Sequence, residues 1–136
     1  MNRLRRFGTP TQLLLDAVVV GYFLPIGMMF VGVSRFVREE LGGSDFVVGL
    51  ATTIFFVSAI PARPLAGRLM DRIGRRPFIW PPLLGMGLTT LLIPASSAAW
   101  MVAVLRLVQG AIGSVLYTAL AATATDLAPP ERRGAA

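Results

Sequence analysis

The sequence predicts an all-α fold, a polytopic transmembrane bundle of about four helices. Three observations carry this expectation. The 136 residues are 54% hydrophobic and only 15% charged, against roughly 45–50% and 25% in a soluble domain. The mean hydropathy is +0.68. The charges gather into short clusters separated by long stretches with almost none, so each helix would be apolar on all sides, which the surface of a water-soluble protein cannot use.

A spanning helix needs about 20 mostly apolar residues, at a rise of about 1.5 Å across a hydrocarbon core of roughly 30 Å. Four segments meet this: 12–34, 46–66, 78–95 and 98–124. The first follows Arg3, Arg5 and Arg6, which resemble the basic start of a secretory signal. The apolar stretch after them exceeds the roughly 7–15 residues of such a signal. It also carries Asp16 and lacks a small-residue cleavage site, so a retained helix is expected. Leu41-Gly42-Gly43-Ser44-Asp45 separates the first two helices, and Ser44 or Asp45 can cap the second. Gly74 separates the second from the third. The third is a little short, so it tilts or starts earlier. Ser96-Ser97 allows only a hairpin before the fourth, and Pro129-Pro130 stops the fourth.

Six prolines, Pro25, Pro61, Pro64, Pro81, Pro82 and Pro94, are expected inside helices. Each removes a backbone donor and tends to kink its helix, either for rocking motion or only to shape the packing. Orientation follows from the arginines near helix ends. Arg3, Arg5, Arg6, Arg68, Arg72, Arg75, Arg76, Arg132 and Arg133 lie on one side, and only Arg35 and Arg38 on the other. The bias puts the N-terminus in the cytoplasm.

Composition also excludes functions. All 13 basic residues are Arg, and the pI is about 11.5. They flank apolar segments instead of forming a stripe with aromatics, which points to the lipid bilayer as partner and not to nucleic acid. With no Cys and no His, disulfides, thiolate catalysis and the common zinc sites drop out. No cofactor or metal is called for. Enzymatic function is not expected either, although an acid–Arg site stays open.

Two stretches hold chemistry inside this apolar frame. Gly67-Arg68-Leu69-Met70-Asp71-Arg72-Ile73-Gly74-Arg75-Arg76 reads as a tight cytoplasmic turn, with Gly67 and Gly74 allowing close approach and reversal. Asp71 can accept from Arg72 or Arg75, or meet a helix N-terminus; on charge alone the stretch is a topological anchor. The second stretch centres on Arg106, about 12 Å into the membrane from Ala98. An arginine at that depth is costly unless it pairs or faces water. Arg106, Gly110, Gly113 and Tyr117 share one helix face, which lines a cavity or packs closely on a partner. Asp16 is the remaining acid within a span. It can couple proton flow, or simply favour the first turn of its helix through the dipole.

The order of residues in these stretches resembles the major facilitator superfamily. Gly67 to Arg76 match its signature loop, Gly-x-Leu-x-Asp-Arg-x-Gly-Arg-Arg, at every defined position and in the right place, after the second helix. Arg106, Gln109, Gly110 and Gly113 match its fourth-helix pattern, Arg-x-x-Gln-Gly-x-x-Gly. The stretch from Asp126 to Gly134 resembles the link between helices four and five in bacterial members, and Phe36 to Gly42 the first external loop. The resemblance covers nearly the whole chain, and its flavour is the bacterial drug and sugar efflux (arabinose efflux permease-like) branch.

The resemblance implies alternating-access secondary transport of a small solute in the cell inner (plasma) membrane, by proton-coupled efflux, between two six-helix halves. It implies a gating role for Gly67, Leu69, Asp71, Arg72, Gly74, Arg75 and Arg76, with Asp71 meeting a helix of the second half. Asp126 would be an acidic partner in that charge network. Arg106, with Gln109, Gly110 and Gly113, would serve proton coupling, as would Asp16. The aromatics Tyr22, Phe23, Phe55, Phe56 and Tyr117 hint at an apolar or amphipathic substrate. The chain stops at Ala136, where a fifth helix should begin, so the expectation is a fragment whose C-terminal half is missing. The alternatives are a small four-helix membrane subunit without a cavity and a dimeric small multidrug transporter.

Overall fold

The structure is a computed structural model. It describes the backbone of residues 10–127, and the side chains of these except 10–16, 18, 19, 76, 124, 126 and 127. The expectations for Arg3, Arg5, Arg6, Arg132, Arg133 and the stretch from Pro129 to Gly134 lie outside the described residues, as do those for the side chains of Asp16, Arg76 and Asp126.

Among the described residues four α-helices follow one another, α1 Pro10–Glu39, α2 Asp45–Ile73, α3 Trp80–Leu92 and α4 Ala99–Leu127, with one 3-10 turn at Arg76–Phe78. Among the described residues three stretches are long and apolar enough to cross a membrane, Val20–Glu39, Asp45–Ile73 and Ala99–Thr123. The 13 residues of α3 make a helix about 20 Å long. It is shorter than the expected segment because prolines bracket it. Pro81 and Pro82 stand in its first turn, where no backbone donor is needed. Pro94 lies in the turn that follows, where the Ala95 and Ser96 amides bond back to the Leu92 and Ile93 carbonyls at 3.2 and 3.0 Å. These three prolines therefore begin and end a helix instead of kinking one. Pro25, Pro61 and Pro64 do lie inside helices.

The other helix boundary that moves is the end of α2. Residues 67–73 continue the helix, so most of the arginine-rich stretch is helical and the reversal is confined to 74–79. Leu, Met and Arg are good helix formers, and Met70 is buried against α4. The helix stops at Gly74, which adopts φ 90° and donates its amide to the Met70 carbonyl at 2.9 Å. Gly67 sits within the helix, and nothing lies within 4 Å of where its Cβ would be, so it makes no close approach. Similarly, α1 runs on to Glu39, which leaves only residues 40–44 as turn.

The described residues divide into two compact units, 10–32 and 33–127. The first is the helical stretch 10–32. In the second, α4 packs against both α2 and α3. Contacts of α2, and of the turn after it, rise together with position along α4: Ser58 with Leu107, Arg63 with Tyr117, and Arg75 of the turn with Ala122. The two helices therefore run parallel, and their C-terminal ends share a side. Contacts of α3 run the other way, Gly85 with Ile112 and Thr90 with Gln109, as an antiparallel hairpin requires. Buried positions on α4, Val102, Arg106, Gln109, Gly113 and Leu116, follow the spacing of one helix face.

The helix surfaces of this unit are far more apolar than those of a protein in water. Ile60, Leu65, Leu84, Leu91 and Trp100 point outward, while Arg106, Gln109, Ser114, Thr89 and Ser96 are buried. An apolar exterior is what the hydrocarbon core of a bilayer demands, and the buried polar side chains sit among apolar ones such as Phe55, Val102 and Leu116.

Candidate functional site

The buried polar layer forms where α2, α3 and α4 converge. Arg106 is 2% exposed and Gln109 1%. Three residues apart on α4, they face the same way, and Arg106 Nη1 donates to Gln109 Oε1 at 3.1 Å. The Gln109 amide nitrogen donates in turn to Thr90 Oγ1 of α3 at 3.1 Å. From α2, the Phe55 ring lies 4.7 Å from the guanidinium carbon, within range of a cation–π attraction that strengthens on desolvation.

Just below, α2 and α4 touch through backbone. The Ser58 hydroxyl donates to the Leu107 carbonyl at 2.6 Å, and Gly110 lies against the Phe55 carbonyl. The shared face of Arg106, Gly110 and Gly113 is thus buried in helix packing, whereas Tyr117, further along, is exposed beside Arg63, whose guanidinium carbon is 5.4 Å from its ring centre.

At the other end of α2 the arginine-rich stretch divides. Leu69, Asp71 and Arg72 are exposed, Gly67 is half-buried, and Gly74 turns the chain. Arg75 is half-buried and reaches across to α4, where Nη1 donates to the Ala122 carbonyl at 2.7 Å. The bond ties the turn after α2 to α4 a little more than one turn before that helix ends. Arg76 opens the 3-10 turn, Asp126 lies in the last turn of α4, and Asp16 lies near the start of α1. On the opposite side Arg38 pairs with Asp45 across the turn between α1 and α2, and Arg35 with Glu39 at 3.1 Å. Ser44 holds the capping position of α2 without a side-chain cap bond.

Two participants escaped the sequence reading, Thr90 and Ser58. Their signal was available: a hydroxyl in an apolar span bonds across helices or back to its own carbonyls. Nothing in the sequence says which of the several hydroxyls does the first.

Long apolar helices with an outward apolar face make this a multi-pass membrane protein. The family model of the Major Facilitator Superfamily matches residues 15–136, and the chain belongs to that family. It is 31% identical to the class E tetracycline resistance protein of Escherichia coli, over 88% of this chain and 28% of that protein. It is 31% identical to the class B tetracycline resistance protein of Escherichia coli, over 81% and 27%, and 33% identical to the multidrug resistance protein MdtG of Proteus mirabilis, over 71% and 25%. The chain thus spans little more than a quarter of the length of these relatives. No solved structure matches it significantly.

Proposed function

We propose that these residues form the N-terminal portion of an alternating-access secondary transporter that exports a small amphipathic solute across the cell inner membrane in exchange for protons. The observation that carries the reading is the buried Arg106–Gln109–Thr90 layer inside an apolar exterior, in a chain of this family. A polar layer of this kind is costly in lipid and marks a solute or proton path by default. Because the chain covers 28% of the first relative's length, the reaction is assigned to a protein of that full length, including a C-terminal half.

The roles follow from charge and position. The N-terminus faces the cytoplasm, since the arginine excess lies on the side that holds the ends of α2 and α4. Asp71, exposed at the end of α2, meets a helix of the second half, while Arg72, Arg75 and Asp126 complete that charge network and Gly67, Leu69, Gly74 and Arg76 shape it. A guanidinium keeps its charge in proteins, so Arg106 biases proton movement without carrying the proton; the carrier is a carboxylate, with Asp16 the candidate in α1. The names of the relatives point to tetracycline-like drugs as the substrate class to try first.

The test is steady-state accumulation of tetracycline in efflux-deficient cells expressing the protein from its native reading frame. The reading requires lower accumulation than in empty cells, restored by a protonophore and by Asp16→Asn. Equal accumulation with and without the protein, across tetracycline and a panel of amphipathic drugs, would sink it.

A further inference from the structure

We propose that Thr90 is a positioning residue for Arg106, acting through Gln109; its effect on exchange rests on the transport reading above. A guanidinium only donates, so Gln109 must turn its carbonyl oxygen toward Arg106, as the 3.1 Å bond shows. That leaves the amide NH2 pointing the other way. At 1% exposure it has no bulk water to meet, and Thr90 Oγ1 accepts from it at 3.1 Å. The chain of bonds runs one way only. Flipping the Gln109 amide would set its NH2 against the guanidinium, donor against donor.

Thr90 differs in this from the residue beside it. Thr89 turns its hydroxyl back to the Gly85 carbonyl at 2.8 Å, the usual habit of Thr in an apolar helix. Thr90 instead offers its oxygen to α4. The helices come close enough because Gly85 has no side chain: a Cβ there would stand 3.0 Å from Ile112 Cδ1. Arg106 is thereby held between a ring on α2 and a bonded amide whose orientation α3 secures. A slide of α3 along α4 by one turn, about 5.4 Å, would break the Thr90–Gln109 bond and release the hold on the arginine. Thr90 is the point at which movement of α3 reaches Arg106.

The experiment is a double-mutant cycle on the full-length protein in lipid nanodiscs, pairing Thr90→Val with Arg106→Met. Arg106→Lys replaces the latter where it fails to fold. The readout is the unfolding equilibrium, with proton-driven tetracycline exchange per folded molecule as a second readout. Gln109 is the expected link between the two mutated sites, so their effects should be non-additive, and the coupling should vanish in a Gln109→Leu background. Thr90→Val should lower exchange about tenfold, the scale set by one buried donor losing its acceptor, and shift its pH profile, while Thr90→Ser restores both. An additive cycle, or a Thr90→Ser variant as impaired as Thr90→Val, overturns the proposal. If the wild-type protein exchanges nothing but the cycle is coupled through Gln109, the transport reading fails and the positioning role stands.

Discussion

Gly110 of α4 rests against the backbone carbonyl of Phe55 in α2, and no larger residue fits between them. A Cβ at Gly110 would stand 2.8 Å from the Phe55 carbonyl carbon, and would overlap the carbonyl oxygen and Ser58 Oγ as well. Helix association in lipid relies on such backbone contact, because apolar side chains gain nothing there by leaving an apolar solvent.

Gly110→Ala should therefore destabilise the α2–α4 pair by about 1–3 kcal/mol, the usual cost of overpacking a contact that cannot yield. Thermal unfolding in detergent measures it. Gly87→Ala on α3 is the control. Its Cβ would meet nothing within 4 Å, and Ala is the better helix former by roughly 1 kcal/mol, so its midpoint should hold or rise.

Gly74 and Gly67 should part company in the same assay. Gly74 combines φ 90° with ψ 170°, a conformation essentially reserved for glycine, and Gly74→Ala should cost about 1–3 kcal/mol. Gly67 is an ordinary helical position with open space around it. If Gly67→Ala cost as much as Gly74→Ala, the extension of α2 to Ile73 would be in error.

Phe55→Leu removes the aromatic face while keeping an apolar side chain. The loss expected from the ring–guanidinium contact is roughly 0.5–2 kcal/mol. In an Arg106→Met background that part of the penalty should disappear. A penalty of unchanged size would mean that Phe55 matters only as bulk.

The outward face of α2 should reject charge according to depth. Ile60, near the middle of the helix, is largely exposed, and Ile60→Arg should cost about 2.5–3.5 kcal/mol of insertion free energy. Ile73→Arg, at the helix end, should cost little, because the side chain can snorkel to the interface. Glycosylation mapping of insertion reads both. Equal, negligible penalties would argue that α2 does not span.

Much of the fold was legible because the bilayer imposes a single demand, long apolar helices, which hydropathy reports directly. Where helices end was less legible. The arginines of 67–76 look like loop on charge, yet arginine is a good helix former, and the buried contact of Met70 keeps the helix going until Gly74. Prolines misled in the other direction: Pro81, Pro82 and Pro94 read as kinks, but a proline marks a beginning or an end as readily as a bend. At the candidate site, the spacing of Arg106, Gly110 and Gly113 defined a face without saying what covers it, cavity or neighbouring helix. The answer required Phe55 and Ser58, about fifty positions earlier in the chain. Thr90 was not legible at all, since a single hydroxyl in an apolar run carries no address.

The parallel pair of α2 and α4 has a mechanical consequence. It is stitched at several heights, by Phe55 over Arg106, Ser58 on Leu107 and Arg63 over Tyr117, and just past the end of α2 by Arg75 on Ala122. A carbonyl seated on a glycine works like a pawl in a notch: sliding along α4 would drive it toward the side chain of Arg106 or Ser114, four residues from Gly110 on the same face. A screw motion by a whole turn, about 5.4 Å, would have to break every stitch at once. Any rearrangement of this part of the molecule must then carry α2 and α4 together as one rod, and take up its strain elsewhere.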